Sequence, residues 1–536
     1  GLSLLTSTPT KFMVPIHALF WNGSLAMKPY GSSQPVNDQK RRRWISLSLV
    51  IIGAALVALV GRPAFHLIRV VWHDSPPGQF KPLPPGQADD VSRLNQIPVA
   101  EIWPIPEEPE AAEQQLRELL ERARESKHRV SVAGARHSMG GHTLYPDGVV
   151  INMIPFRRMS LDAEHNLLTV GAGALWTEIL PYLNAQGRSI EVMQSDSAFS
   201  VGGSLSVNCH GWQFGRPPIA STVESFRLMQ ADGTIVRCSR EENRELFSLV
   251  LGGYGLFGII LDAELRVVPN VRLRLEQFQS PVPGALARLD HKLSNAPNPA
   301  LVYARLNISP ARLFEDVMVS LYYPEATGEI PPLSEPGMLG LSRAVFRGSV
   351  DSDYGKELRW FAETRVQPYL GSKFASRNQL LSETPDWYLN RSTNATDILH
   401  EYFVPRSEAT GFLVNARRII REHRGDLLNA TVRDVETDSD TFLRYAREPV
   451  IAFVLFFNQA RTREGDERMQ AMTRELIDAA LRSRGCYYLP YRLHATSEQF
   501  HRAYPQAREF FRLKRRYDPD ERFQNQFYVR YGLERN

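Results

Sequence analysis

Cysteine is scarce in this sequence, and neither sign of charge dominates it. Cys209, Cys238 and Cys486 are the only cysteines among 536 residues, which excludes a disulfide-stapled scaffold and a cysteine-rich zinc site. The 63 Lys and Arg residues nearly balance the 59 Asp and Glu residues, and the net charge of +4 excludes a polybasic nucleic-acid-binding chain. Apolar residues at 43% and charged residues at 23% exclude whole-chain disorder.

One long uncharged run follows four basic residues near the N-terminus. Residues 44–61 contain no Asp, Glu, Lys or Arg, and residues 40–43 are Lys-Arg-Arg-Arg. A helix over this run would approach the thickness of a bilayer core, and basic flanks stay on the cytoplasmic side. We therefore predict a single-pass transmembrane helix over residues 44–61, with the larger C-terminal part on the non-cytoplasmic side.

The segments around this run are not expected to form domains. Residues 1–43 are interpreted either as a cytoplasmic segment or as an upstream extension, with Met27 a candidate start. Residues 73–96 are rich in Pro and Gly and predict a semi-rigid linker.

Two loops rich in small residues interrupt the strand-and-helix pattern of residues 97–270. The first covers residues 134–142, between predicted strands at 130–133 and 149–153, and the second covers 195–211. Glycine lets the backbone approach a ligand closely, and consecutive free N–H groups bind anions. Two such loops in one domain favour a diphosphate held between them, although either loop alone could be an ordinary glycine turn.

The stretch 253–258 matches GxGxxG but does not indicate a Rossmann fold. That fingerprint must follow a strand and begin a helix. Here a predicted helix at 241–251 comes first and a predicted strand at 259–268 follows.

The second half of the chain predicts an antiparallel sheet flanked by helices. Strand-like stretches lie at 300–307, 315–323, 401–404, 427–435 and 451–457. Residues 324–390 are irregular, and two interpretations stay open for them: a packed helical insertion or a membrane-facing one. Together with the first half, this pattern predicts the α+β class.

Four stretches, taken in order, resemble a known family. Residues 132–138, 200–211, 224–233 and 245–269 are similar to the sequence motifs of the FAD-linked oxidases of the vanillyl-alcohol oxidase type, nearest to sugar-lactone and alditol oxidases. The resemblance implies a two-part PCMH-type FAD-binding domain at 97–270 and a substrate domain at 271–510. It also implies a C-terminal return to the FAD domain at 511–536.

The resemblance implies FAD as cofactor and a set of residues around it. In the first loop, the implied contacts are Gly134, Ala135, Arg136 and Ser138. In the second loop, they are Ser200, Val201, Gly202, Gly203, Ser204, Ser206, Val207, Asn208 and Gly211. Ile259 or Ile260 would edge the adenine, and His137 would either bond the flavin covalently or lie beside it. Cys209 would either hinder oxygen access or be a small buried core residue.

Three further residues are implied near the reacting atoms. Arg433 falls where sugar-oxidising relatives keep an arginine, unless it pairs with Asp434 at the surface. Tyr491 replaces a common lysine in a strand predicted at 487–494, with Arg492 beside it. Relatives often carry an acid where Thr431 stands here.

The implied activity is oxidation of a hydroxyl-bearing small molecule, a sugar, sugar lactone or polyol, by hydride transfer to flavin N5. The electron acceptor would be oxygen or a quinone, and no metal or nucleic acid is expected. Two alternatives stay open: a flavin enzyme acting on a lipid-linked sugar or a sterol, and a non-catalytic, membrane-tethered binding module.

Overall fold

The computed structural model describes residues 38–74, 83–334 and 337–533. The chain divides into two compact units, Gly1–Arg62 and Pro63–Asn536. The predicted segment 1–43 lies mostly outside the described residues, as do residues 75–82 of the predicted linker.

The predicted transmembrane helix over residues 44–61 is not found. Its apolar run lies in α1 (Asp38–Leu56), which also contains Asp38 and the four basic residues 40–43, and a π-helical turn at Val57–Gly61 interrupts the run. No helix in the described ranges combines the length and the apolarity that a membrane crossing requires. The side of a membrane on which the larger part would lie stays a prediction.

Helices occur throughout the described ranges. They are α1, α2 (Arg62–His73), α3 (Pro109–Glu125), α4 (Trp176–Ala185), α5 (Val201–Ser206), α6 (Arg244–Val250), α7 (Ala285–Ser294), α8 (Leu339–Arg347), α9 (Asp353–Phe361), α10 (Gln367–Leu370), α11 (Arg377–Leu381), α12 (Ala409–Glu422), α13 (Arg463–Arg482), α14 (Ser497–Ala503), α15 (Ala507–Tyr517) and α16 (Gln526–Tyr531).

Strands alternate with these helices. They are β1 (Gln87–Ala88), β2 (Ile97–Pro98), β3 (Glu101–Pro104), β4 (Val130–Ala133), β5 (Val149–Asn152), β6 (Met159–Asp162), β7 (Leu167–Gly171), β8 (Arg188–Ile190), β9 (Val223–Met229), β10 (Ile235–Ser239), β11 (Ile259–Pro269), β12 (Arg272–Pro281), β13 (Leu301–Leu306), β14 (Asp316–Pro324), β15 (Phe374–Ser376), β16 (Ala395–Pro405), β17 (Asp426–Val435), β18 (Val450–Ala460) and β19 (Cys486–Tyr487).

Two sheets build the first half of the larger unit. A three-stranded parallel sheet has the order β3-β5-β4, and a six-stranded antiparallel sheet has the order β10-β9-β11-β7-β6 with β8 also paired to β11. The stretch 253–258 lies between α6 and β11, so helix precedes strand, as the sequence indicated against a Rossmann fold.

An eight-stranded antiparallel sheet builds the second half, in the order β15-β12-β14-β13-β17-β18-β16-β19. The prediction of the α+β class is confirmed. Between β14 and β16 the chain forms helices α8 to α11, so residues 324–390 form a largely helical insertion. The strand predicted at 487–494 is shorter than expected, because β19 ends at Tyr487.

Part of the predicted linker is packed against the body of the protein. Asp90 is buried, and its carboxylate accepts hydrogen bonds from the Gly141 N–H at 2.8 Å and from the Asn95 side chain at 2.7 Å. Burial raises the pKa of Asp90. Residues 83–96 therefore attach to the first glycine-rich loop.

The C-terminal segment joins the edge of the parallel sheet. Phe523 forms a parallel bridge with Val130 of β4. The turn before it depends on Asp518, whose carboxylate accepts the N–H groups of Arg522 at 2.9 Å and Phe523 at 2.8 Å. The same carboxylate pairs with Lys514, and the two side chains are 1% and 0% exposed.

We expect Asp518→Ala to lower the free energy of unfolding by about 3–5 kcal/mol, because it leaves a buried ammonium without its partner. Denaturant titration monitored by circular dichroism measures the change. Asp520→Ala is the matched control, since the Asp520 side chain is 72% exposed and its loss should cost less than about 1 kcal/mol. Equal losses in the two variants would contradict this account of the turn.

Candidate active site

A cavity of about 680 Å³ lies between the two glycine-rich loops and the eight-stranded sheet. Residues 134–138 and the start of α5 line one side. Strands β13, β16, β17 and β18 line the other side with polar and aromatic side chains. This volume is that of an ordinary ligand site, and its walls come from both halves of the larger unit.

The two loops touch each other at Gly134 and Ser200. A Cβ atom built on Gly134 would lie 2.0 Å from the Ser200 Oγ, which no real side chain tolerates. The Ala135 N–H donates to the same Oγ at 3.3 Å. Only glycine therefore allows this contact, which sets the spacing of the two loops at the cavity.

Ser200 also organises the second loop. Its Oγ accepts the N–H of Gly203 at the start of α5, and Gly202 lies so close to Ala172 that a Cβ would approach the Ala172 side chain to 2.9 Å. Because Gly202 and Gly203 both line the cavity, backbone rather than side chain forms this wall.

Polar groups of the first loop face the cavity. Ser138 Oγ is buried and makes no hydrogen bond within the described residues, and the buried ring of His142 has the Leu489 backbone beside it. Burial lowers the pKa of His142 to about 3, so the ring is neutral. Unpaired buried groups are costly unless a ligand satisfies them, and this wall therefore fits a polar ligand such as the predicted FAD.

His137 lines the cavity and stacks on Phe199 with ring centroids 4.2 Å apart. Burial lowers its pKa, and the nearby charge of Asp196 opposes that shift. A neutral imidazole keeps the free lone pair that a covalent bond to carbon requires.

Arg433 of β17 reaches the cavity from the opposite side. One terminal guanidinium nitrogen donates to the Ser195 Oγ at 2.7 Å, while its Nε has no partner among the described residues. Asp434 pairs instead with Arg406 at 3.6 Å. The alternative of a surface Arg433–Asp434 pair is therefore wrong.

Glu401 of β16 joins two parts of the chain that the sequence did not connect. Its Oε1 lies 2.5 Å from the His210 Nε2, and its Oε2 accepts the Tyr491 hydroxyl at 3.1 Å. All three side chains line the cavity. No pattern in the sequence indicates this cluster, because Glu401 is 191 residues from His210.

A second carboxylate cluster also borders the cavity. Burial raises the pKa of both Asp196 and Glu383. Tyr388 donates its hydroxyl to Asp196, and the Glu383 carbonyl accepts the Ser197 N–H at 2.8 Å. These bonds tie the helical insertion to the second loop.

The predicted site residues divide into two groups by position. Those lining the cavity are Gly134, Ala135, Arg136, His137, Ser138, Ser200, Gly202, Gly203, Ser206, Val207, Ile260, Arg433 and Tyr491. Those that do not line it are Val201, Ser204, Asn208, Gly211, Ile259 and Arg492.

Hydrogen bonds and packing within the protein explain why the residues of the second group do not line the cavity. Ser204 is buried against Trp176, whose Nε1 donates to its Oγ at 2.9 Å, and Asn208 donates to Asp438 at 2.9 Å. Val201 and Ile259 are core residues. A Cβ on Gly211 would lie 2.0 Å from the Met193 carbonyl oxygen, so this glycine serves packing.

Arg492 was predicted beside Tyr491 at the reacting atoms, but it is directed elsewhere. Its guanidinium donates to Asn95 at 2.7 Å and to Asp466 at 2.8 Å. These partners lie outside the cavity lining. Tyr491 lies at a bend that follows the turn at residues 489–490, and its side chain lines the cavity while that of Arg492 does not.

Comparison with known proteins agrees with this geometry. Residues 110–239 match the family described as the FAD binding domain. L-gulonolactone oxidase of Mus musculus is 31% identical over 183 residues, which cover 34% of this chain and 41% of the relative. The Bos taurus enzyme is 30% identical over 184 residues, covering 34% and 42%. Cytokinin dehydrogenase 2 of Oryza sativa subsp. japonica is 32% identical over 156 residues, covering 27% and 28%.

Residues 110–239 therefore belong to an FAD-binding domain, and the cofactor is FAD. The predictions of an FAD-binding domain and of FAD are confirmed, and the chain is similar to a sugar-lactone oxidase over 34% of its length. The chain spans about two fifths of the length of the L-gulonolactone oxidases it matches.

We expect Gly134→Ala to abolish or strongly reduce FAD binding, because the added methyl group would push Ser200 out of the contact that spaces the two loops. The ratio of flavin absorbance to protein measures the effect. Gly411→Ala is the matched control, since a Cβ there meets no atom within 4 Å. Full flavin content in Gly134→Ala would contradict the account.

Proposed function

We propose that the chain is an FAD-dependent oxidoreductase that oxidises the CH–OH group of a sugar, a sugar lactone or a related polyol. The observation that carries the proposal is one cavity lined both by the loops of the FAD-binding domain and by Arg433 and Tyr491. The matches to L-gulonolactone oxidases support this reaction class.

Each wall of the cavity contributes a different part of the proposed chemistry. When bound, FAD supplies the two-electron acceptor for a hydride from the substrate carbon. Arg433 binds substrate oxygens through its unpartnered Nε and stabilises negative charge that develops nearby. Asn429 and Thr431 lie on the same strand at alternating positions and line the cavity. The Asn429 amide donates to the Thr431 hydroxyl oxygen at 3.3 Å, and the Thr431 hydroxyl proton can then be donated to a substrate oxygen.

The second substrate of the reaction is proposed to be oxygen or a quinone. Cys209 borders the cavity, and its thiol lies 3.0 Å from the Gln194 Oε1. Burial raises the pKa of Cys209 to about 12, so the thiol stays protonated. Its position is compatible with both earlier interpretations, a residue that hinders oxygen and a small buried packing residue.

A second candidate substrate class is an amphiphile, such as a lipid-linked sugar or a sterol. Its support is an aromatic wall: Phe346 and Trp387 of the helical insertion lie 5.0 Å apart in an edge-to-face arrangement, and Phe456 lines the same cavity. Aromatic rings bury apolar surface and also stack on sugar rings, so the wall suits a substrate with both features.

Anaerobic addition of substrate tests the reaction class. We expect the purified protein to be yellow and to bleach on addition of an aldonolactone or a polyol. A folded protein without flavin would favour the non-catalytic binding module. Bleaching by a lipid-linked sugar or a sterol, but not by the soluble sugars, would favour the second candidate.

Substitution of Arg433 tests its assigned role. We expect Arg433→Met to slow anaerobic bleaching by about 100-fold, because a preorganised charge near the reacting atoms is lost. Arg433→Lys should recover part of the rate. Arg463→Met, at a side chain that is 87% exposed, serves as control and should bleach at the unaltered rate. An unaltered rate in Arg433→Met would remove the residue from the mechanism.

Acid precipitation tests whether His137 binds flavin covalently. We expect flavin to stay on the peptide that contains His137 and to become acid-extractable in His137→Ala, which still folds and binds FAD. His165→Ala, at an exposed ring, is the matched control. Flavin released from the unsubstituted protein would exclude the covalent bond.

A further inference from the structure

The Glu401 cluster is a closed arrangement of three hydrogen-bonding groups beside the proposed reacting atoms. The side chains of Glu401 and His210 are each only 3% exposed. Each carboxylate oxygen has a different partner: Oε1 lies 2.5 Å from the His210 Nε2, and Oε2 accepts the Tyr491 hydroxyl at 3.1 Å. Burying a carboxylate costs free energy unless hydrogen-bond partners satisfy it, and Glu401 has one such partner on each oxygen.

Proton positions in the cluster follow from its partners. The His210 Nδ1 lies 3.3 Å from the carbonyl oxygen of Gly211, an acceptor, and therefore carries a proton. A 2.5 Å separation between Nε2 and the carboxylate requires another proton between them, because two facing lone pairs would repel.

Tyr491 connects this pair to the cavity. Its hydroxyl proton points to the Glu401 Oε2, which leaves the phenol lone pairs to accept a proton from elsewhere. Burial raises the pKa of Tyr491 well above its usual value, and the charge of Glu401 adds to that shift. The Tyr491 phenol therefore does not stay deprotonated, and it must accept one proton as it donates its own to Glu401.

We propose that Tyr491 and Glu401 form a proton relay for the substrate hydroxyl, with His210 holding the Glu401 carboxylate in place through its other oxygen. This inference rests on the proposed function. The substrate O–H proton moves to the Tyr491 oxygen as the tyrosine's own proton moves to the Glu401 Oε2. The O–H electron pair becomes the second bond of the new carbonyl, and the C–H pair leaves as hydride to FAD, so charge and electrons balance.

The relay explains why a carboxylate lies behind the Tyr491 hydroxyl. A phenol cannot by itself act as a strong proton acceptor at neutral pH. A carboxylate behind the phenol supplies the missing basicity. Tyr491 is then the residue that touches substrate, and Glu401 and His210 are positioning and proton-storing residues.

The titratable and charged groups that face the relay come from several elements. They are His210, Tyr491, Tyr488, Tyr445, Tyr254, Cys209 and Arg433. Burial raises the pKa of each of the four tyrosines and of Cys209, so these five groups stay protonated at neutral pH. We therefore expect the low-pH limb of the rate to depend on the Glu401 carboxylate.

The pH dependence of anaerobic bleaching tests the relay. We expect the rate in the unsubstituted protein to fall as pH is lowered, because protonated Glu401 can accept nothing. Glu401→Gln should be about 100-fold slower and should lose this dependence, and Glu401→Asp should recover part of both. The double variant with Tyr491→Phe and Glu401→Gln should be no slower than the slower of the two single variants, because both substitutions interrupt the same proton pathway.

A measurement without turnover separates the relay from the reaction. The 15N resonance of the His210 Nε2, assigned with His210→Asn, should shift in Glu401→Gln. Glu475→Gln is the matched control, because it changes a surface pair in which the Glu475 Oε1 lies 2.8 Å from the His423 Nε2. This variant should leave the His210 resonance and the bleaching rate unaltered. Flavin content, measured in every variant, confirms that FAD is still bound.

The outcomes separate the two proposals. Bleaching of Glu401→Gln at the unaltered rate and pH dependence would overturn the relay and leave the proposed function standing. Additive losses in the double variant would also overturn the relay. A flavin-containing protein that no alcohol bleaches would overturn the proposed function, and the relay with it.

Discussion

The contact between Gly134 and Ser200 is the constraint on which the site depends. The Ser200 Oγ serves the second loop by accepting the Gly203 N–H and serves the first by accepting the Ala135 N–H. A Cβ on Gly134 would lie 2.0 Å from that hydroxyl oxygen, so a larger residue would force Ser200 out of both hydrogen bonds. Glycines in both loops leave backbone facing the cavity, and the Ser200 hydroxyl joins the two loops.

The second half of the chain supplies the polar side chains on the opposite side of the cavity. Alternation along the central strands directs Glu401 on β16 and Arg433 on β17 into one cavity. Bonds across the cavity, Arg433 to Ser195 and His210 to Glu401, hold the two halves in register. Binding and chemistry thus come from different sheets that meet at one surface, as active sites between two layers often do.

Sequence reasoning succeeded where a signal is local. Glycine and serine runs indicate close backbone approach, and strands such as β4, β11 and β17 were predicted within a few residues, because their periodicity reports which face is buried. It failed for Arg492, which follows Tyr491 but binds Asp466, and for the spanning helix over 44–61. It also missed the pairing of His210 with Glu401, which only tertiary structure brings together.

A crystal structure of the purified, flavin-containing protein tests the central claim most directly. The account predicts density for the diphosphate between residues 134–138 and 200–203, with the isoalloxazine ring turned towards Arg433 and Tyr491. Diphosphate density at any other place, or a ring directed away from the eight-stranded sheet, would contradict it.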